Sequence, residues 1–243
     1  MKPPAIIIEN LNLGLHNADL QATVERLNKG KTYRDLSTII VCPTRGVISD
    51  RVVQAWMGLI RPMNQKCIGP IFFRGYEVGE AYNMAFNFVL SNPDLSQWKY
   101  VLTIEEDNLP PPDGILKLYE SMDQYDVVGG LYWTKGEGGQ PMIYGDPTIE
   151  PVNFIPQKPI PDTVQPARGL GMGFNLFKID MFKNPNLPKP WFETRQEYTA
   201  GVGAKMYTQD LHFYENAGKL GYKFACDTRV RVGHLDAATD IVW

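Results

Sequence analysis

Three acidic residues in a row, Glu105-Glu106-Asp107, follow the apolar, β-branched run Tyr100–Ile104 (YVLTI). That run reads as a buried strand. Carboxylates where a strand leaves the core are costly unless water or a cation meets them. On an extended chain, residues i and i+2 point to the same side. Glu105 and Asp107 could therefore face one Mg2+ or Mn2+, ions that take oxygen ligands and share them with phosphates. A solvated acidic turn before Pro110-Pro111-Pro112 is the plainer alternative. His234, in Gly233-His234-Leu235-Asp236 near the carboxyl end, is a second candidate. Imidazole serves as metal ligand or acid/base, or simply packs. Thr208-Gln209-Asp210 opens an expected helix. Either Thr208 or Asp210 could cap it, or Asp210 could take a proton from a hydroxyl nucleophile. Pro43-Thr44-Arg45-Gly46 follows the first clear strand. Such a turn can hold a nucleotide, with Arg45 on phosphate or ribose, or be a turn and nothing more. In Gly169-Leu170-Gly171-Met172-Gly173, alternating glycines allow close backbone approach to a ligand, or a bend. Their spacing is not the dinucleotide fingerprint.

The elements that must position these residues alternate. Ser37–Cys42 reads as a strand and Ser49–Ile60 as a helix with Val52, Val53, Trp56 and Met57 on its apolar face. Cys67–Phe73 is the next strand, and Gly75–Leu90 a loop and helix burying Ala81, Met84, Ala85 and Val89. Tyr100–Ile104, a helix over Asp113–Met122 and the strand Asp126–Trp133 follow. This order predicts an α/β fold with a mainly parallel sheet covered on both faces. Residues 134–167, rich in Gly, Pro and polar types, read as a long irregular insert. Regular structure resumes with Gly173–Phe177, a helix over Thr208–Leu220 and short strands at Lys223–Cys226 and Arg229–Val232. The expected organisation is one domain over 1–243, with a nucleotide-binding half (37–133) and an acceptor half (134–243). Residues 1–36 form an N-terminal extension or first strand, with Ala5–Glu9 a candidate strand and Leu20–Leu27 a candidate helix.

The chain has 243 residues, 44% hydrophobic and 21% charged, which is globular composition. Its net charge of −3 argues against a protein that grips nucleic acid through phosphates. Cys42, Cys67 and Cys226 are odd in number and lie far apart, which predicts buried thiols in a reducing compartment. The apolar run Ala5–Ile8 is too short for a signal-peptide core or a membrane span. The expectation is a soluble, cytoplasmic protein.

Taken in order, these pieces resemble the GT-A glycosyltransferases, especially their inverting, family-2-like group. The corresponding stretches are Ile39–Arg45, Gly79-Glu80-Ala81-Tyr82-Asn83, Leu102–Asp107, Gly169–Phe177, Thr208–Phe213 and Val230–His234. The phrase from Gln209 through Asn216-Ala217-Gly218 to Gly233-His234 is the most telling. Three positions depart from the pattern: Glu105 stands at the first acid of Asp-x-Asp, Tyr82 where the group has Arg, and Gln209 where an acid precedes Asp210. The resemblance implies a nucleotide-diphosphate sugar donor and a divalent metal, Mn2+ or Mg2+. Asp107 and His234 would ligate the metal, with Glu105 on metal, ribose or sugar. Pro43, Thr44, Arg45, Asn83, Glu106, Met172 and Gly173 would bind the donor, and Asp210 would be the catalytic base of an inverting transfer. The acceptor stays open among a glycan, a protein, a lipid-linked sugar and a modified nucleobase. Tyr132, Trp133, Tyr144, Trp191, Phe192 and Tyr198 could stack on sugar rings or pack in the core.

Two other readings use the same fold. A nucleotidyltransferase would need a Gly-rich phosphate loop beside the first strand, of which Lys29-Gly30-Lys31 is only an echo. A non-catalytic carbohydrate-binding protein is compatible with Glu105 and Gln209, but not readily with Asp107, Asp210 and His234 together.

Overall fold

The computed structural model describes residues 34–243 except 64 and 202. The candidate strand Ala5–Glu9 and helix Leu20–Leu27 lie outside the described residues.

A seven-stranded sheet carries the molecule, in the order β2-β1-β3-β9-β5-β12-β7. These strands are β1 (Thr38–Thr44), β2 (Cys67–Arg74), β3 (Tyr100–Ile104), β5 (Val127–Leu131), β7 (Val164–Ala167), β9 (Phe174–Lys178) and β12 (Phe224–Arg231). β1, β2, β3, β5 and β12 share one direction, and β9 and β7 run against it. The sheet is thus mainly parallel. Its strands bury both faces, so they read as continuous apolar runs. Successive residues fall into opposite layers. Ile39, Val41, Val101 and Val127 join one core. Ile40, Cys42, Leu102, Ile104 and Val128 join the other.

Helices cover both faces. The first core holds α2 (Val78–Ser91) and α4 (Gln209–Lys219), with an aromatic stack of Phe86, Phe182, Phe192 and Phe213 between them. The second holds α3 (Gly114–Glu120) through Ile115, Leu118 and Tyr119. The fourth helix, α1 (Asp50–Met57), packs Val52 and Ala55 against Leu109 and Leu235. Ser49 caps α1 by accepting from Arg51 N, and Glu77 caps α2 by accepting from Gly79 N and Glu80 N.

Several expected phases and bounds shift. α1 ends at Met57 rather than Ile60, because the chain leaves the helix at Gly58, and Met57 and Val53 are exposed. In α2 the buried face is Ala81, Tyr82, Ala85, Phe86 and Val89, while Met84 is exposed. The two rings outweigh methionine in choosing the face. The expected break in the last long strand is absent. Asp227, wholly buried within β12, is held by Arg229, whose Nε and Nη2 donate at 2.9 and 2.6 Å. Two charges that look like a turn neutralise each other inside one strand. Residues 134–167 are mostly irregular, yet they supply β6 (Ile143–Tyr144), which pairs with β8 (Gly169–Leu170), and the edge strand β7. Pro166 is tolerated there because an edge strand can spare a donor. Two further strands, β10 (Arg195–Thr199) and β11 (Gly203–Tyr207), form a hairpin before α4. Cys42 and Cys226 are buried and Cys67 is half-buried, and all three are free thiols. No helix among the described residues is long and apolar enough to cross a membrane.

Candidate active site

β1 and β3 are parallel neighbours, so Thr44 and Glu105 emerge at the same end of the sheet. Ligands bind beyond such carboxyl ends. The chain does not stay extended past Ile104. Asn108 N donates to Glu105 O at 3.1 Å, closing a turn over Glu105–Asn108. The same-side expectation for Glu105 and Asp107 therefore gives way, and each acid takes its own partners.

Glu106 is buried and faces β1. It accepts from Thr44 Oγ1 (2.6 Å), Arg45 N (2.9 Å) and Arg45 Nε (2.5 Å). Burial opposes its charge, but these donors prevail and hold its carboxyl below the usual range. Both its oxygens hold the Thr44–Arg45 turn, leaving the rest of the Arg45 side chain exposed.

Glu105 turns to α2. Tyr82 Oη donates to Glu105 Oε1 at 2.8 Å. Burial, then the charges of Asp107 and Asp210, push its carboxyl up to about 7, against the pull of the Tyr82 bond and His234. Its partner is thus a phenol at the position of the expected arginine.

Asp107 meets His234. The two-residue strand β4 (Asn108–Leu109) pairs antiparallel with β13 (Gly233–Asp236), placing His234 opposite Asn108, and Leu235 N donates to Asp107 O at 2.7 Å. β14 (Ile241–Val242) flanks β13. His234 Nδ1 lies 2.7 Å from Trp133 O. A carbonyl only accepts, so Nδ1 carries a proton and the other ring nitrogen faces the acid. His234 Nε2 lies 3.6 Å from Asp107 Oδ2. Lys135 Nζ sits on the same oxygen at 2.5 Å. Burial opposes ionisation of Asp107, but His234 and Lys135 outweigh it and hold the carboxyl down at about 2.

Asp210 lies in the first turn of α4, buried, with Oδ1 accepting from Leu211 N at 2.8 Å. Thr208 makes no capping bond through its side chain. Burial raises the Asp210 carboxyl despite bonds from Thr208 and Leu211. Its charge also raises Glu105, which puts the two acids in one electrostatic neighbourhood.

The remaining expected donor residues fall into two sets. Pro43 and Thr44 end β1 beside Glu106. Met172 and Gly173 lie against β3: Thr103 Oγ1 donates to Met172 O at 2.7 Å, and Glu105 N to Gly173 O at 3.1 Å. Met172 is buried in the core rather than exposed to a ligand. The alternating glycines admit Tyr132, not open space. A Cβ on Gly171 or Gly173 would collide with its ring or hydroxyl, and Tyr132 Oη accepts from Gly173 N at 2.8 Å. Asn83 stands apart. Its amide donates to Gly79 O (2.9 Å) and Phe192 O (2.6 Å) and accepts from Trp191 N (2.9 Å) and Phe192 N (3.2 Å). It pins the 191–192 backbone to α2. Of the aromatic candidates, Tyr132, Trp191 and Phe192 are core residues, while Tyr198 is exposed.

Sequence reading missed Lys135 and the Trp133 carbonyl. The only local signal was a lysine opening the glycine-rich stretch Lys135-Gly136-Glu137-Gly138-Gly139. A cavity of about 490 Å3, lined by Tyr125, Phe154, Tyr222 and Phe224 among others, opens at the opposite end of the sheet and includes none of these acids.

Among the described residues, no three His, Cys, Asp or Glu side chains converge as a metal cage. Asp107 and His234 Nε2 do fit an ion that takes its remaining ligands from substrate phosphates. The Nδ1 bond to a carbonyl is the usual orienting contact of a ligating histidine.

This mixed sheet, mainly parallel and flanked by helices, with acids at its carboxyl end, is GT-A-like. Among solved structures, the chain is similar to A197 from STIV, with TM-score 0.58, 16% identity and 83% of this chain matched to 86% of that one. It is also similar to GalNAc-T7 with UDP, GalNAc and Mn2+, with TM-score 0.54, 10% identity, and 84% of this chain matched to 45% of that one. At these identities the likeness is one of fold, and it spans under half of the GalNAc-T7 chain. No protein-family model matches the chain, and no curated protein does.

Proposed function

We propose that this protein is a metal-dependent glycosyltransferase that moves a sugar from a nucleotide-diphosphate sugar to an acceptor hydroxyl with inversion, in the manner of the family-2-like group. The observation that carries this reading is the pair formed by Asp107 and His234 Nε2, beside Glu105 at the carboxyl end of β3. The oxygen-plus-imidazole set suits Mn2+ better than Mg2+, which prefers oxygen alone. Mn2+ is also the ion of the GalNAc-T7 structure. Bound there, such an ion supplies positive charge for the departing diphosphate.

The chain's own residues do the rest. Arg45, held by Glu106 and largely exposed, would offer its remaining guanidinium N–H groups to the donor's phosphates. Asp210 takes the acceptor's proton as its oxygen bonds to the anomeric carbon. The carbon–oxygen bond to the diphosphate breaks, and its electron pair leaves with the nucleoside diphosphate. Burial raises the proton affinity of Asp210 above that of an ordinary aspartate, the direction that suits a general base. Attack opposite the leaving group inverts the carbon.

The test is release of nucleoside diphosphate from UDP-, GDP-, CDP- and dTDP-sugars, with water or simple glycans as acceptor. Asp210→Asn is expected to keep donor binding and slow release by about 10²–10⁴-fold, the range for losing a general base. Release at the native rate would reduce Asp210 to a residue of the helix first turn.

A further inference from the structure

Lys135 belongs to no motif, yet its ammonium is the cation nearest the candidate metal ligands, 2.5 Å from Asp107 Oδ2. The loop that presents it is tied at its base and turns through glycines at its tip. Thr134 N donates to Gln140 O at 2.9 Å, Thr134 Oγ1 accepts from Gln140 N at 2.8 Å, and Trp133 bridges to Pro141. Between these ties, Gly136 and Gly138 hold φ of +99° and +74°, and a Cβ at either would meet nothing. Glycine stands there for backbone conformation, not for space.

The geometry around Asp107 gives the lysine a purpose. His234 donates through Nδ1 to Trp133 O, which aims its Nε2 at Asp107 Oδ2, 3.6 Å away. Lys135 Nζ shares that oxygen, so a cation already sits where an ion held by Asp107 and His234 would lie. A divalent ion taking the same two atoms must displace it, because two positive charges cannot share one oxygen without strong repulsion. The displaced ammonium stays tethered within a side chain's length of the ion, where a diphosphate would lie.

We propose that Lys135 is the resident counter-cation of Asp107, displaced when the divalent ion binds and then transferred to the diphosphate of the donor. The inference rests on the glycosyltransferase reading and adds to it a diphosphate-binding residue and a reason for ion and donor to bind together. Ion binding to the free protein is weakened by the lysine, and a diphosphate recovers the loss by taking the lysine up.

Two titrations test it. Free Mn2+ is followed by electron paramagnetic resonance against the full chain and its Lys135→Met and Lys135→Arg variants. Inorganic pyrophosphate is then titrated by calorimetry into each protein saturated with Mn2+. Lys135→Met is expected to bind Mn2+ alone about tenfold more tightly and pyrophosphate about tenfold more weakly, the scale of one charge-assisted hydrogen bond. Lys135→Arg, which keeps the charge, should stay near the native protein in both. Equal or weaker Mn2+ affinity in Lys135→Met overturns the proposal, and so does unchanged pyrophosphate affinity. Mn2+ bound equally by all three removes the role of Lys135 and leaves the metal site standing. No Mn2+ bound by any of them, even with pyrophosphate, removes the metal reading as well.

Discussion

Glu105 and Asp107 are two residues apart, yet their carboxyls titrate far from each other: about 7 for one and about 2 for the other. The difference is environmental. Glu105 has burial and two like charges against it, with a phenol's hydrogen bond and the more distant His234 in support, whereas Asp107 has an imidazole and an ammonium close by. This separation has a consequence for stability. The folded-state value of Glu105 is raised, so its proton is bound more tightly in the folded protein than in the unfolded chain. Stability from this group is present below the ordinary value near 4.5 and is lost as pH rises through about 7. Glu105→Gln keeps an oxygen for Tyr82 and removes the charge. The variant is expected to match the native protein in thermal stability at pH 4.5 and to exceed it at pH 8, by about 1–3 kcal/mol. An offset of the same size at both pH values, read from melting curves, would place the strain of Glu105 elsewhere. Residue types alone did not reveal this split. The acids were legible as a cluster, but which acid meets which partner depends on the turn at Glu105–Asn108 and on β4 pairing with β13, neither of which leaves a local pattern.

At the scale of elements, legibility followed how locally each one is determined. The β-branched runs of β1 and β3 announced themselves, and so did the acids that β3 delivers to its carboxyl end. The helical period of α2 was visible but its phase was not, because Tyr82 and Phe86 choose the buried face through contacts with Phe192 and Phe177. The edge strand β7 hid behind Pro166, and β12 seemed broken by Asp227 and Arg229, whose mutual neutralisation is a property of the fold. Asn83 sits in a motif that suggests the donor, yet its amide is taken up by the 191–192 backbone and Gly79 O. The glycines at 171 and 173 were legible as a place of close approach, but not what approaches. Tyr132 fills that place, and its hydroxyl holds Gly173 N beside the end of β3. Gly171→Ala should therefore collide with the Tyr132 hydroxyl and the Met142 methyl and destabilise by about 1–3 kcal/mol, the usual cost of overpacking. Chemical denaturation measures this directly. A variant as stable as the native protein would mean that Tyr132 has room to move.

For the whole molecule, three distant parts of the chain meet at one end of the main sheet: the Thr44–Arg45 turn after β1, the acids after β3, and His234 from β13 in the small sheet with β4 and β14. The helix α4 brings Asp210 into their electrostatic reach, anchored by the stack of Phe182, Phe192 and Phe213. Each part has a separate structural reason for its place, and together they bring Asp107 Oδ2 and His234 Nε2 to 3.6 Å from each other. The proposed glycosyl transfer requires nucleotide and metal to bind as a unit, with the nucleotide's phosphates completing the ion's ligands. Calorimetric titration of UDP, GDP, CDP and dTDP, each with and without Mn2+, into the native protein and Asp107→Asn tests this most directly. One nucleotide should bind the native protein only when Mn2+ is present, and the variant should bind none. A nucleotide that binds equally with and without Mn2+, or equally to both proteins, would contradict the account, as would no binding at all.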